Sequence, residues 1–205
     1  MSHTGIVDYG MGNLKSVANA VEKVGGHPVL VAGPESLAEF DHLILPGVGA
    51  FAQAIETLRA TGLADALIEY AGSGRPLLGI CLGMQLMCRS SEEGGVNAGL
   101  GWFDIDVVRF PAEPGLRVPQ IGWNTVEVQR VHPLFEGMED RFDVYFLHSY
   151  YARPDQAADV LGMTQHGVRY ASMLGRDNLC AMQFHPEKSH HVGLTLLSNF
   201  IHNMD

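Results

Sequence analysis

Residues 76–88 read PLLGICLGMQLMC, a continuous apolar run that passes into a helical-period segment at Cys81, with Gly79 and Gly83 two positions to either side. An unbroken apolar strand of this kind belongs inside a parallel sheet, and small residues flanking its last position are what a tight strand-to-helix turn demands. Upstream the same alternation repeats. Residues 5–8 predict a first strand, and 13–24 a helix with Leu14, Val17, Ala18, Val21 and Val24 on one stripe, closed by Gly25 and Gly26. Residues 28–32 and 42–45 predict two more buried strands, 50–60 and 63–71 two helices, and 77–80 the fourth strand. Beyond Trp102 the pattern becomes half-buried alternation over 104–109, 124–129, 143–151, 167–175 and 179–185, which predicts antiparallel additions to the same sheet; 189–204 closes as a helix. The fold class is therefore α/β, an open, mostly parallel but mixed sheet flanked by helices. No repeat or low-complexity linker interrupts it, so residues 1–205 read as one domain.

The 205 residues are 46% hydrophobic and 18% charged, ordinary for a globular chain, with a formal net charge of -10. That charge argues against nucleic acid or an anionic membrane as the main partner. The three cysteines, Cys81, Cys88 and Cys180, fit neither a disulfide framework nor a paired metal site, which points to a reducing cytoplasm and to no metal or cofactor. The opening residues lack the basic and apolar regions of a secretory signal, and no run approaches the ~20 apolar residues of a membrane span.

Cys81 stands where a nucleophile elbow would place it. The helix N-terminus behind it favours thiolate, and the Leu82 N–H is placed to meet a developing oxyanion. A second constellation is MQFHPEKS, residues 182–189, where His185 and Glu187 lie two apart and project to one face if the segment is extended, as Pro186 favours. A carboxylate on one imidazole nitrogen fixes the tautomer and leaves the other free to exchange a proton with a thiol. A third is LILPGVGAF, residues 43–51, whose Gly47, Val48 and Gly49 sit at the carboxyl end of a strand, where backbone N–H groups line the ligand crevice of an open α/β sheet. His148 competes weakly with His185 as base. Gly10-Met11-Gly12 lacks the third glycine of a dinucleotide loop, His190 and His191 lack companion metal ligands, and Cys88 and Cys180 read as core.

In this order PGVG, GICLGMQ and HPE resemble the class I glutamine amidotransferases, a flavodoxin-like α/β fold. Together with YGMGNLKSV (9–17), PQIGWN (119–124), FLHSY (146–150) and HPEKS, they are similar to one branch of that family, the glutaminase subunits of imidazole glycerol phosphate synthase. The resemblance covers almost the whole chain. It implies a triad of Cys81, His185 and Glu187; an oxyanion hole from Leu82 and the Gly47, Val48, Gly49 loop; and substrate contacts from Gln85, His148, Ser149 and Tyr150. It further implies a heterodimer with a cyclase subunit of (β/α)8 barrel fold, a fold of about 250 residues and so a separate polypeptide. Asn13, Trp123 and Lys188 fall near that subunit contact. The implied reaction is hydrolysis of glutamine, with ammonia delivered to the cyclase for synthesis of imidazole glycerol phosphate and AICAR ribonucleotide in histidine biosynthesis. The residues alone leave two other readings open, a cysteine hydrolase or peptidase acting without a partner and a non-catalytic regulatory subunit.

Overall fold

The computed structural model describes residues 3–154 and 156–204. The chain runs β1 (His3–Val7), α1 (Leu14–Lys23), β2 (His27–Val31), β3 (His42–Leu45), α2 (Phe51–Ala60), α3 (Leu63–Gly72), β4 (Leu77–Ile80) and the short α4 (Leu82–Met87). It continues through β5 (Cys88–Ser91), β6 (Asn97–Ala98), β7 (Phe103–Arg109), β8 (Gln120–Val128), β9 (Arg141–His148) and β10 (Tyr150–Arg153). It ends in β11 (Val160–His166), β12 (Val168–Arg176), β13 (Leu179–Met182) and α5 (His190–Asn203). One mixed sheet holds all of the strands, with β2-β1-β3-β4-β13 as its parallel part and β12, β10 and β7 following.

Alternation along the central strands sends side chains to two cores. Leu43, Leu45 and Leu77 meet α2 and α3 through Phe51, Leu58, Leu67 and Tyr70, whereas Ile44, Leu78 and Ile80 meet α1 and α5 through Val17, Val21, Leu197 and Phe200. Helix α1 stops as its glycines predict. The Gly26 N–H reaches the Val21 carbonyl and the Gly25 N–H the Glu22 carbonyl, with Gly25 at φ 85°, a conformation open to glycine at little cost.

Several expectations need correction. The segment predicted as a buried strand over 28–32 is β2, which pairs only with β1 and has its first four residues partly or wholly exposed, because it is the sheet edge; Pro28, with no N–H to give, is tolerated there. The single strand predicted over 143–151 is two. At Ser149 the chain leaves β8, the partner of β9, and joins β7 and β12 as β10. The last strand is not an antiparallel addition throughout: β13 runs parallel to β4 and antiparallel to β12, forming the seam between the two halves of the sheet. It also ends at Met182, short of His185. Strands β5, β6 and β11 were not predicted; β5 and β6 are four and two residues long, too short to set up a period.

Candidate active site

The carboxyl ends of β3, β4 and β13 converge, and each delivers one of the three constellations. At the end of β4 Cys81 takes φ 54° and ψ -108°, a strained conformation for a residue with a Cβ, and α4 begins at once with Leu82. The small neighbours are required by packing. A Cβ on Gly83 would overlap the Leu45 carbonyl, and one on Gly79 would lie 2.9 Å from the Met84 nitrogen. Gly83→Ala is expected to lower stability by about 2–4 kcal/mol, read as a drop of roughly 5–15 °C in thermal midpoint.

His185 is carried just past β13, its N–H bonded to the Tyr145 carbonyl of β9. The His185 and Glu187 side chains do come together, with Nδ1 2.9 Å from Oε1, but not by strand alternation. Pro186–Lys188 forms a 3-10 turn, opened by Pro186, whose fixed φ suits a first helical position, and the Lys188 N–H returns to the His185 carbonyl. Both side chains are almost wholly buried, at 2% and 1% exposure. Burial is the largest single influence on the imidazole and works against its charge. The Cys81 sulfur and then the Glu187 carboxylate outweigh it and raise His185 to about 10, while Nε2 makes no hydrogen bond to a described residue. The Glu187 carboxylate thus fixes the orientation of the imidazole through Nδ1 and leaves Nε2 free of any hydrogen bond to a described residue.

Cys81 and His185 line one cavity of about 270 Å³, near the lower bound of small-ligand sites at ~300 Å³. Val48 and Gly49 from the loop after β3, Leu82 and Gln85 from α4, and His148, Ser149 and Tyr150 from the β9–β10 junction also line it. The expected substrate contacts are therefore brought together. Gln85 differs from expectation in one respect: its amide nitrogen is already committed, 3.0 Å from both the Tyr150 carbonyl and Gln183 Oε1, leaving its oxygen for a ligand.

The oxyanion hole expected from Leu82 and the Gly47, Val48, Gly49 loop is not assembled. The Leu82 N–H donates to the Gly47 carbonyl at 3.3 Å, so the Gly47–Val48 peptide presents its oxygen where the expected hole needs an N–H. That peptide is trans, so the Val48 N–H points the opposite way. The Tyr9 hydroxyl donates to the Pro46 carbonyl at 2.9 Å and pins the strand end just before this loop.

His148 is a wall, not a base. Its Nδ1 donates to the Tyr150 carbonyl at 2.8 Å and its Nε2 lies 3.2 Å from the Tyr170 hydroxyl. Burial above all, against a small contribution from the Tyr150 carbonyl, pushes it down to about 3. The folded form therefore refuses a proton that the unfolded chain accepts below its ordinary 6.5, so this contribution to stability is present above pH 6.5 and lost as pH falls toward 3. His148→Gln, with nothing to protonate, is expected to flatten the acid limb of unfolding free energy against pH, measured by urea titration; an unchanged slope would contradict this.

Two residues were missed. Gln183, two positions before His185, is fully buried and donates toward Cys81 Sγ at 3.8 Å; a glutamine in the apolar run LCAMQF was the available signal. Glu93 enters the cavity and accepts the N–H of Phe51 at 2.8 Å; in sequence its SEEGG context is indistinguishable from a solvated turn. Of the residues expected near a partner, Trp123 is 50% exposed and stacks on His190, and Lys188 is exposed with Nζ 5.8 Å from the Tyr145 ring. Asn13 instead donates to Glu187 Oε1 at 3.3 Å, behind the imidazole. Among the described residues no group of three or more His, Cys, Asp or Glu is disposed to hold a metal ion, and no helix is long and apolar enough to cross a membrane.

A cysteine elbow and a carboxylate-bound imidazole share one cavity at the carboxyl edge of a doubly wound sheet, an arrangement suited to the chemistry of a thiol hydrolase. The family model for glutamine amidotransferase class-I matches residues 5–204, and the chain belongs to that family. Within it, the chain is 48% identical over 198 residues to imidazole glycerol phosphate synthase subunit HisH of Sulfurimonas denitrificans, covering 95% of both chains. It is 48% identical over 200 residues to the subunit of the same name from Symbiobacterium thermophilum, covering 98% of this chain and 93% of that protein. A solved glutamine amidotransferase superposes with a TM-score of 0.75 at 21% identity, over 96% of this chain and 98% of the other, a likeness of fold.

Proposed function

We propose that this chain hydrolyses glutamine to glutamate and ammonia through a thioester on Cys81, and that the ammonia passes to a cyclase subunit that makes imidazole glycerol phosphate and AICAR ribonucleotide. The observation that carries the chemistry is the placement of Cys81 and His185 on one small cavity, with Glu187 on the far imidazole nitrogen. The Cys81 thiolate adds to the side-chain carboxamide carbon, and the negative charge moves to the oxygen. His185 gives its proton to the nitrogen, the C–N bond breaks and ammonia leaves. Water then attacks the γ-glutamyl thioester, His185 taking its proton, and the C–S bond breaks to release glutamate and restore the thiolate. Glu187 keeps the imidazole oriented throughout.

Turning over the Gly47–Val48 peptide would bring the Val48 N–H beside that of Leu82 and release Leu82 from the Gly47 carbonyl, completing the hole. The resting cavity is therefore a poor glutaminase, and assembly of the hole falls to the partner. Val48 is 41% exposed at the cavity mouth, and Leu147, Ile121 and Trp123 add exposed apolar surface at 37%, 61% and 50%, which supports a docking face beside the cavity. Ammonia set free in neutral water becomes ammonium, which is no nucleophile, and this supports internal delivery to a cyclase subunit, in this proposal a (β/α)8 barrel, seated on this face.

Glu93 is the carboxylate that lines the cavity, and its Oε1 makes no hydrogen bond to a described residue, which suits the α-ammonium of glutamine. Glu93→Gln is expected to raise KM for glutamine about 10- to 100-fold, the worth of one charge-assisted hydrogen bond, with kcat changed little; an unchanged KM would remove Glu93 from the site. The function as a whole is tested by mixing the purified chain with a cyclase subunit and following glutamate formation with and without the cyclase ligand. Stimulation by the liganded partner is expected. Turnover of peptides or esters without it, and none of glutamine, would overturn the proposal.

A further inference from the structure

Three side chains behind the elbow form a hydrogen-bond chain whose direction is fixed from one end. The Tyr150 carbonyl can only accept, so the group 3.0 Å from it on Gln85 is the amide nitrogen. The same nitrogen lies 3.0 Å from the Gln183 side chain, which must present its oxygen there. The Gln183 amide nitrogen is thereby left facing Cys81 Sγ at 3.8 Å, within hydrogen-bond reach of the larger sulfur atom. Gln183 cannot turn its amide over without setting two N–H groups against each other in a site where Gln183 is fully buried and Gln85 is 4% exposed. Its backbone is tied as well, the N–H donating to the Ser172 carbonyl at 2.9 Å.

We infer that Gln183 is a positioning residue for the nucleophile: it offers Cys81 a fixed N–H donor that favours the acceptor-only thiolate over the thiol, with Gln85 and the Tyr150 carbonyl setting its direction. The inference rests on Cys81 being the nucleophile of the proposed function. It assigns Gln85 a second duty besides substrate contact, that of holding the Gln183 amide the right way round. The sulfur also lies 3.9 Å from the Leu147 carbonyl, which can pair only with the thiol, so the Gln183 amide is the uncharged group at the sulfur that favours ionisation, present whether or not a ligand or partner is bound.

The test is the pH profile of Cys81 alkylation by iodoacetamide in the full chain, with Cys81→Ala as the control that assigns the labelling, since Cys88 and Cys180 are fully buried. Gln183→Met is close to isosteric and sits between Met182 and Phe184 in a strand end already apolar. Gln183→Asn keeps an amide that is one methylene too short to reach the sulfur. In both the alkylation midpoint is expected to move up by about one pH unit, a tenfold loss of thiolate at a fixed lower pH, and kcat for glutamine to fall about tenfold with KM within about twofold. A midpoint unmoved in either folded variant, while Cys81→Ala still abolishes glutamate formation, overturns this inference and leaves the proposed function standing. Glutamate formation that survives Cys81→Ala overturns both.

Discussion

Cys81→Ala is expected to lower glutamine hydrolysis by the complex with a cyclase subunit at least about 10⁴-fold, while product formation from added ammonium salt continues at the wild-type rate. The size follows from the absence of a substitute. Cys81 is the cysteine that lines the cavity and the residue that stands on the strand-to-helix elbow, whereas Ser149 of the same cavity lies between two strands and His148 has both nitrogens occupied. Alanine removes the sulfur from a residue that is 6% exposed and leaves the elbow glycines, the imidazole and the docking face untouched, which is why the ammonia-driven reaction should persist. Glutamate release is checked by coupled assay and product formation by absorbance. Loss of both activities would mean that the change disturbs docking, and retention of glutamate release would remove Cys81 from the chemistry.

Val48→Gly is expected to raise glutamine hydrolysis by the isolated chain about tenfold. In the resting loop the Gly47 carbonyl occupies the Leu82 N–H. Turning the Gly47–Val48 peptide over changes φ of Val48 by roughly half a turn, from the negative range in which it rests to the positive range that a β-branched residue enters only at a cost of about 1–2 kcal/mol. Glycine meets no such cost, so the hole forms more often without help. The side chain that resists is also partly exposed at the cavity mouth, where a docked subunit could press on it. Basal turnover that is unchanged or lower would place the restraint elsewhere, for example in the Tyr9 bond to the Pro46 carbonyl.

What the sequence made legible was whatever depends on short-range covalent constraint. The period of residues 76–88 placed β4 and the elbow because an apolar strand, two glycines and a helix start are all local, and Gly25 and Gly26 placed the end of α1 for the same reason. His185 and Glu187 were paired correctly for the wrong reason. Their spacing is compatible with a strand and with a 3-10 turn, and tertiary contact, the His185 N–H on the Tyr145 carbonyl, decides between them. The edge position of β2 was not legible, since its HPVLV composition is that of a central strand and only sheet order exposes Val29 and Leu30. Nor was the state of the oxyanion loop, because Val48 only biases the peptide plane and the bond from the Leu82 N–H to the Gly47 carbonyl, 35 residues apart, holds it. Gln183 and Glu93 reach the site through partners 98 and 42 residues away, a separation that no local pattern encodes.

The central claim is that the Cys81 sulfur forms the covalent bond to the substrate, and it is tested most directly by acid-quenching the complex during glutamine turnover and mapping the modified peptide by mass spectrometry. A γ-glutamyl adduct on the peptide that carries Cys81, absent from Cys81→Ala and longer-lived in His185→Asn, is the predicted result. Glutamate accumulating while that peptide stays unmodified in every quenched sample, His185→Asn included, would contradict it.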